Sequence, residues 1–153
     1  MKKYILAFLI SMVPLIELRG AIPVGAAMDL PFYLYAPLAV LGNLIPVPFI
    51  LLYIPRILDW LAKFRAFAGI VAWVRKKADK HSEKILKGAF VGLTLFVLIP
   101  LPGTGAWTGA LVASLFDLPK RRSMLAITLG VIGCAVIMTL ASEGVISFLN
   151  FLL

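Results

Sequence analysis

Uncharged, strongly apolar runs cover Leu30–Pro55, Gly88–Phe116 and Ser123–Ser142, and the charged residues gather between them. A helix needs about 20 apolar residues to cross a bilayer, so each run is long enough to span one. The stretch PLIELRGAIPVG, Pro14–Gly25, breaks the pattern: Glu17 and Arg19 stand in apolar surroundings beside two prolines and two glycines. A plain helix through it is not expected.

The chain matches itself at an offset of 88 residues. Phe8 falls on Phe96, Pro14 on Pro102, Val24 on Val112, the triplet at Asp29–Pro31 on that at Asp117–Pro119, and Gly42 on Gly130. Each half reads as a broken apolar segment, a DLP turn and a long apolar helix. The aspartates are expected to open the following helix as N-caps or tight turns. If residues 4–28 and 89–116 were simple spans, the cluster Lys120–Arg122 would lie opposite the basic stretch 56–87. If each dips in and returns, both basic regions share a side, as the positive-inside tendency favours, and only Lys2 and Lys3 fall opposite.

The expected fold is therefore an all-α integral membrane domain with two inverted repeats, each a re-entrant helical hairpin followed by a transmembrane helix. Repeat 1 covers 1–55, a cytoplasmic amphipathic linker 56–87, and repeat 2 88–153. Non-helical backbone at membrane depth is tolerated only inside protein or along a watery cavity, so the breaks predict a cavity near the midplane. In the linker, Leu61, Phe64, Ala68 and Val71 form an apolar stripe with Trp60 and Trp73 as headgroup anchors, which suits a helix lying on the membrane. The N-terminal MKKYILAFLISMVPL has no small-residue cleavage site and is read as mature protein.

Composition agrees with this picture: 62% of the residues are hydrophobic and 14% charged, against roughly half and a quarter in a soluble domain. The net charge of +8 does not imply nucleic acid, because nine of the fifteen basic residues lie between Arg56 and Lys87 and three more form KRR at Lys120–Arg122. Such clusters face the cytoplasm and anionic lipids. The expected location is the inner or plasma membrane, crossed more than once. Cys134, the single cysteine, is assigned to packing, and no metal-ligand spacing or cofactor motif is found.

A charge at the bilayer centre costs roughly 2.5–3.5 kcal/mol on insertion scales, so Glu17 and Arg19 need a reason. One reading has them pin the tip of the first hairpin. The other has Arg19 meet an anionic group while Glu17 carries an exchangeable proton. The corresponding segment, Ile99–Ala110, is uncharged and offers Gly103, Thr104, Gly105, Trp107 and Thr108, which suit either a ligand approaching backbone groups or close packing of two hairpin arms. It lacks the Gly-Lys-Ser/Thr ending of a phosphate-binding loop. Asn43, beside Gly42, is expected to bond a neighbouring helix.

IELRGAIPVG and PLPGTGAWTGALVA resemble the signature segments of the small multidrug export protein family, over nearly the whole chain. That family is similar in architecture to the DedA/VTT membrane proteins, which carry two inverted re-entrant hairpins and are associated with moving polyprenyl-phosphate carriers and other lipids. The resemblance places Glu17, Arg19, Gly20 and Pro23 in the first motif and Pro102, Gly103, Gly105, Trp107 and Thr108 in the second. DedA proteins proper carry further basic residues in the second motif, and this chain has none between Lys87 and Lys120.

The expected function is a small secondary transporter or flippase for an amphipathic substrate, coupled to a proton or sodium gradient. A phosphate-headed lipid such as a polyprenyl phosphate is favoured, with a cationic amphiphilic drug as the alternative and a non-transporting scaffold as a third reading. An enzyme is disfavoured: no intramembrane histidine, serine with a base, or paired carboxylates are present in the sequence. A homodimer is expected, since one protomer has little protein with which to enclose a cavity.

Overall fold

The computed structural model describes residues 2–14, 16–64, 69, 72, 83–101 and 103–152, with side chains set aside at 83–87 and 145–152. Regular structure among these residues is helical: α1 (Lys2–Met12), α2 (Glu17–Ala27), α3 (Phe32–Leu44), α4 (Pro46–Leu61), α5 (Glu83–Leu98), α6 (Ala106–Leu115) and α7 (Lys120–Leu152). Most of the expected surface-lying linker helix lies outside the described residues. At its edges, α4 continues through Arg56–Leu61 and α5 begins at Glu83.

Among the described residues, two helical paths are long and apolar enough to cross a membrane, Phe32–Leu61 and Lys120–Gly144. The first is α3 and α4 run together, because the linking residue Ile45 has helical angles, φ −56° and ψ −45°. It tolerates Pro37, Pro46, Pro48 and Pro55, each of which removes a helical hydrogen bond. Surrounding helices compensate for such gaps in membranes. Outward faces stay apolar; Leu140 is 70% and Tyr33 65% exposed. Contiguous apolar surface on this scale needs lipid or protein against it.

The run Gly88–Phe116 is not one helix. It breaks after Leu98 and restarts at Ala106, as its Pro and Gly content predicts, and the first half breaks between Met12 and Glu17. The halves are then built alike. α1 packs on α3 and α5 on α7, with Gly42 seated against Phe8 and Ser11, and Gly130 against Thr94 and Val97. The short helices cross over: α2 packs on α7, and α6 on α4. Ala21, Ile22, Ala39, Ala110, Ala113, Ile127 and Val131 fill the centre.

The two DLP turns differ in role from the expectation. Asp29 and Asp117 adopt left-handed backbone, φ 55° and 50°, and end the preceding helix rather than cap the next one. In the first turn Leu30 N–H donates to Gly25 C=O at 3.2 Å and Asp29 N–H to Ala26 C=O at 3.0 Å. In the second, Leu118 N–H donates to Ala113 C=O at 2.9 Å and Asp117 N–H to Ser114 C=O at 3.3 Å. This is the Schellman closure, made twice in corresponding places. The N-cap position of α3 is Pro31, which has no side chain able to cap.

Candidate functional site

α6 starts abruptly after Gly105, leaving its first backbone N–H groups without helical partners and a partial positive charge at its end. Glu17 supplies what they lack. Its Oε2 accepts from Ala106 N–H at 3.2 Å and its Oε1 from Trp107 N–H at 3.0 Å. The carboxylate is 5% exposed and reaches this helix from 89 residues earlier in the chain. Gly105 makes room for it: a Cβ there would collide with the Glu17 carboxylate. Glu17 itself has a φ of 50°, which turns the start of α2 toward the second hairpin.

The other side of the same break has the opposite need. α5 ends with carbonyls that no helical N–H reaches. Arg19 donates through Nη1 to Leu101 C=O at 2.5 Å and through Nη2 to Ile99 C=O at 2.9 Å, with Val97 C=O at 3.5 Å. Nη2 also donates to the Thr104 hydroxyl at 2.7 Å, and that hydroxyl turns to the carbonyls of Ile99 and Leu101, both at 2.9 Å. The planar five-donor guanidinium suits several carbonyls at once. The Cys134 thiol on α7 faces the same guanidinium, so Cys134 is buried as expected but stands beside the charge.

An acid thus meets the positive start of α6, and a base meets the negative finish of α5. The hydrogen bonds of Glu17 and Arg19 go to opposite sides of the break in the second hairpin, not to each other. The two broken segments meet tip to tip. Two buried donors there are unused, Arg19 Nε and Trp107 Nε1.

The other predicted residues divide. Gly103 has a φ of +81°, which a side chain resists, but open space surrounds it. Backbone conformation is thus a constraint on it, and the space around it leaves its backbone approachable. Gly20 and Pro23 lie on α2; Pro23 has no N–H for the Arg19 carbonyl, which loosens α2 where the clasp attaches. Thr108 lies partly buried on α6. Asn43 is buried on α3, and its Oδ1 has no partner, so that oxygen does not make the expected bond to a neighbouring helix. Pro102 lies outside the described residues. No group of three or more His, Cys, Asp or Glu that could hold a metal occurs among the described residues.

Glu143 escaped the sequence reading. It lies near the end of the second apolar path, and its Oε1 accepts from the buried Tyr35 hydroxyl at 3.0 Å. The available signal was its isolation, as the one acid after Asp117.

Comparison with known proteins adds one match. A family model described as "Putative small multi-drug export protein" matches residues 17–137, beginning at the clasp acid and ending within α7. No curated protein and no solved structure matches the chain.

Proposed function

Because the chain belongs to the small multi-drug export protein family, we propose that this membrane protein is a small transporter of amphipathic molecules. In this reading the two hairpins are re-entrant, their repeats are inverted, and they move against each other at the clasp. The clasp carries the proposal: a discontinuous helix pair with both broken ends held by charges from the opposite repeat. Transporters commonly work around such discontinuous helices near the midplane.

Inverted repeats draw support from the helix ends. Lys3 Nζ donates to Met28 C=O at 3.1 Å, so α1 begins where α2 ends, and the Tyr35–Glu143 bond adds the start of α3 and the end of the second span. At the far end, Lys120 and Arg121 line a groove with Leu51 and Leu52, about one turn from Arg56. In this reading Arg56, Lys63 and the cluster Lys120–Arg122 face the cytoplasm.

The test is flux in liposomes containing the purified protein. Uptake of a lipophilic cation or a short-chain polyprenyl phosphate, lost in Glu17→Gln and Arg19→Gln, is expected. No flux of either compound would leave a scaffold role. The lipid reading has its own observation, the groove of about 470 Å³ between α4 and α7, where Lys120 and Arg121 stand over Pro48, Leu51, Leu52, Met124 and Leu125. Arg19 favours it less than the sequence suggested, because both terminal nitrogens of its guanidinium are committed to carbonyls and Thr104.

A further inference from the structure

The two long apolar paths come from different halves of the chain, and the groove of about 470 Å³ runs between α4 of the first and α7 of the second. α6 packs on both helices, which touch each other only sparsely. Leu51 and Leu52 of α4 and Met124 and Leu125 of α7 line the groove together with Lys120 and Arg121. The two cations come one helical turn before Met124 and Leu125, so they mark one end of it.

Charge at that end has a single sign. α7 has no acid in its first turn. Arg56 stands one turn beyond Leu52, and the acids nearest in sequence, Asp59 and Asp117, do not line the groove. The positive start of α7 adds in the same sense. Away from that end the surface is apolar. Arg121, Leu125, Leu129 and Ile132 follow helical spacing, and the three apolar residues are exposed, so a greasy track leads from the charges along the span.

A bound molecule has to answer both features. A neutral lipid leaves the cations unanswered, and an inorganic anion leaves the track bare. A phosphate carrying an acyl chain answers both, and basic pockets between membrane helices take anionic headgroups in this way. We propose that the groove seats one anionic phospholipid, with its phosphate against Lys120 and Arg121 and an acyl chain along Leu52, Met124 and Leu125. It is a resident that bridges the two halves, distinct from any molecule moved at the clasp. Ser114 Oγ, 3.5 Å from the carbonyl of Ile50, marks the level of the groove. Eight residues of α6, about 12 Å of helix, separate Ser114 from Ala106 at the clasp. The inference rests on α4 and α7 spanning the membrane, and not on transport.

Native mass spectrometry of the purified full chain in detergent, titrated with phosphatidylglycerol or with phosphatidylcholine of the same acyl chains, tests it. One phosphatidylglycerol should bind, well ahead of phosphatidylcholine. Each cation beside the headgroup contributes about fivefold, so Arg121→Gln should weaken phosphatidylglycerol about fivefold and the double variant Lys120→Gln, Arg121→Gln about thirtyfold, with phosphatidylcholine unchanged. Leu125→Trp, which fills the track and keeps the charges, should weaken both lipids. In nanodiscs the melting temperature of the parent should rise with the fraction of phosphatidylglycerol, and that of the double variant should not. Equal affinity for the two lipids, or full phosphatidylglycerol affinity in the double variant, would overturn the proposal. Displacement of the lipid by inorganic phosphate, but not by chloride of equal ionic strength, would overturn it too, by assigning the charged end to a free anion. So would Leu125→Cys cross-linking between copies, in a Cys134→Ser background, that phosphatidylglycerol leaves unchanged, because a second copy would then cover the groove. Failure of the transporter reading looks different: absent flux with selective phosphatidylglycerol binding leaves the seat standing.

Discussion

Glu17→Gln separates a clasp from an idle buried acid. The amide keeps one acceptor oxygen for two backbone donors, Ala106 N–H and Trp107 N–H, now held at 3.2 and 3.0 Å. A hydrogen bond to a charged group contributes about 1.5–3 kcal/mol. The charge against the helix start adds about 0.3–2 kcal/mol. Losing one bond and that charge term should cost about 2–5 kcal/mol. The assay is SDS titration of the purified protein in mixed micelles, followed by far-UV circular dichroism. A companion pair sharpens it. Gly105→Ala pushes a methyl into the carboxylate and strains a backbone held at a φ of +157°, so it should destabilise on its own, and by less in the Glu17→Ala background, where only the backbone strain remains. A Glu17→Gln transition within about 0.5 kcal/mol of the parent, a change typical of uninvolved surface positions, would refute the clasp. Fully additive Gly105→Ala and Glu17→Ala effects would refute the stated contact.

Arg19→Lys should fall between the parent and Arg19→Gln in the same titration, since a lysine keeps the charge but cannot hold Ile99, Leu101 and Thr104 together. Asp29→Gly and Asp117→Gly should each be neutral or stabilising by up to about 1 kcal/mol, because glycine suits the left-handed position, while Asp29→Val should destabilise; thermal melts in detergent decide it. Gly42→Ala and Gly130→Ala should both loosen the contact between the first helix of each half and its long helix, lowering the melting temperature in parallel. In a Cys134→Ser background, Lys63→Cys and Arg121→Cys should be protected from an impermeant thiol reagent in intact cells, and Lys3→Cys labelled.

The long apolar paths and both breaks were readable because they rest on composition, and the offset of 88 residues recovered matching turns at Asp29 and Asp117. The direction of those turns was not readable: Asp-Leu-Pro serves a helix start as well as a left-handed stop, and only the 3.2 Å and 2.9 Å closing bonds choose between them. Glu17 and Arg19 stood out as charges in apolar sequence. Their partners did not, since the carbonyls of Ile99 and Leu101 and the N–H groups of Ala106 and Trp107 belong to the main chain and leave no residue-type signature. Glu143 was missed because its partner Tyr35 lies 108 residues away and neither forms a motif.

The clasp also bears on how the protein is made. Glu17 finds its donors 89 and 90 residues further along the chain, and Arg19 its acceptors 78 to 85 residues on. At about 5–20 residues per second of synthesis, the ribosome needs roughly 4–18 s to deliver them. In the proposed re-entrant arrangement, the first broken segment holds throughout that interval two charges whose insertion costs about 2.5–3.5 kcal/mol each without partners. It should therefore wait at the water interface or within the insertion machinery, and enter together with the second hairpin. A nascent chain halted before residue 97 should keep Glu17 accessible to water, and one halted after α6 has emerged should not.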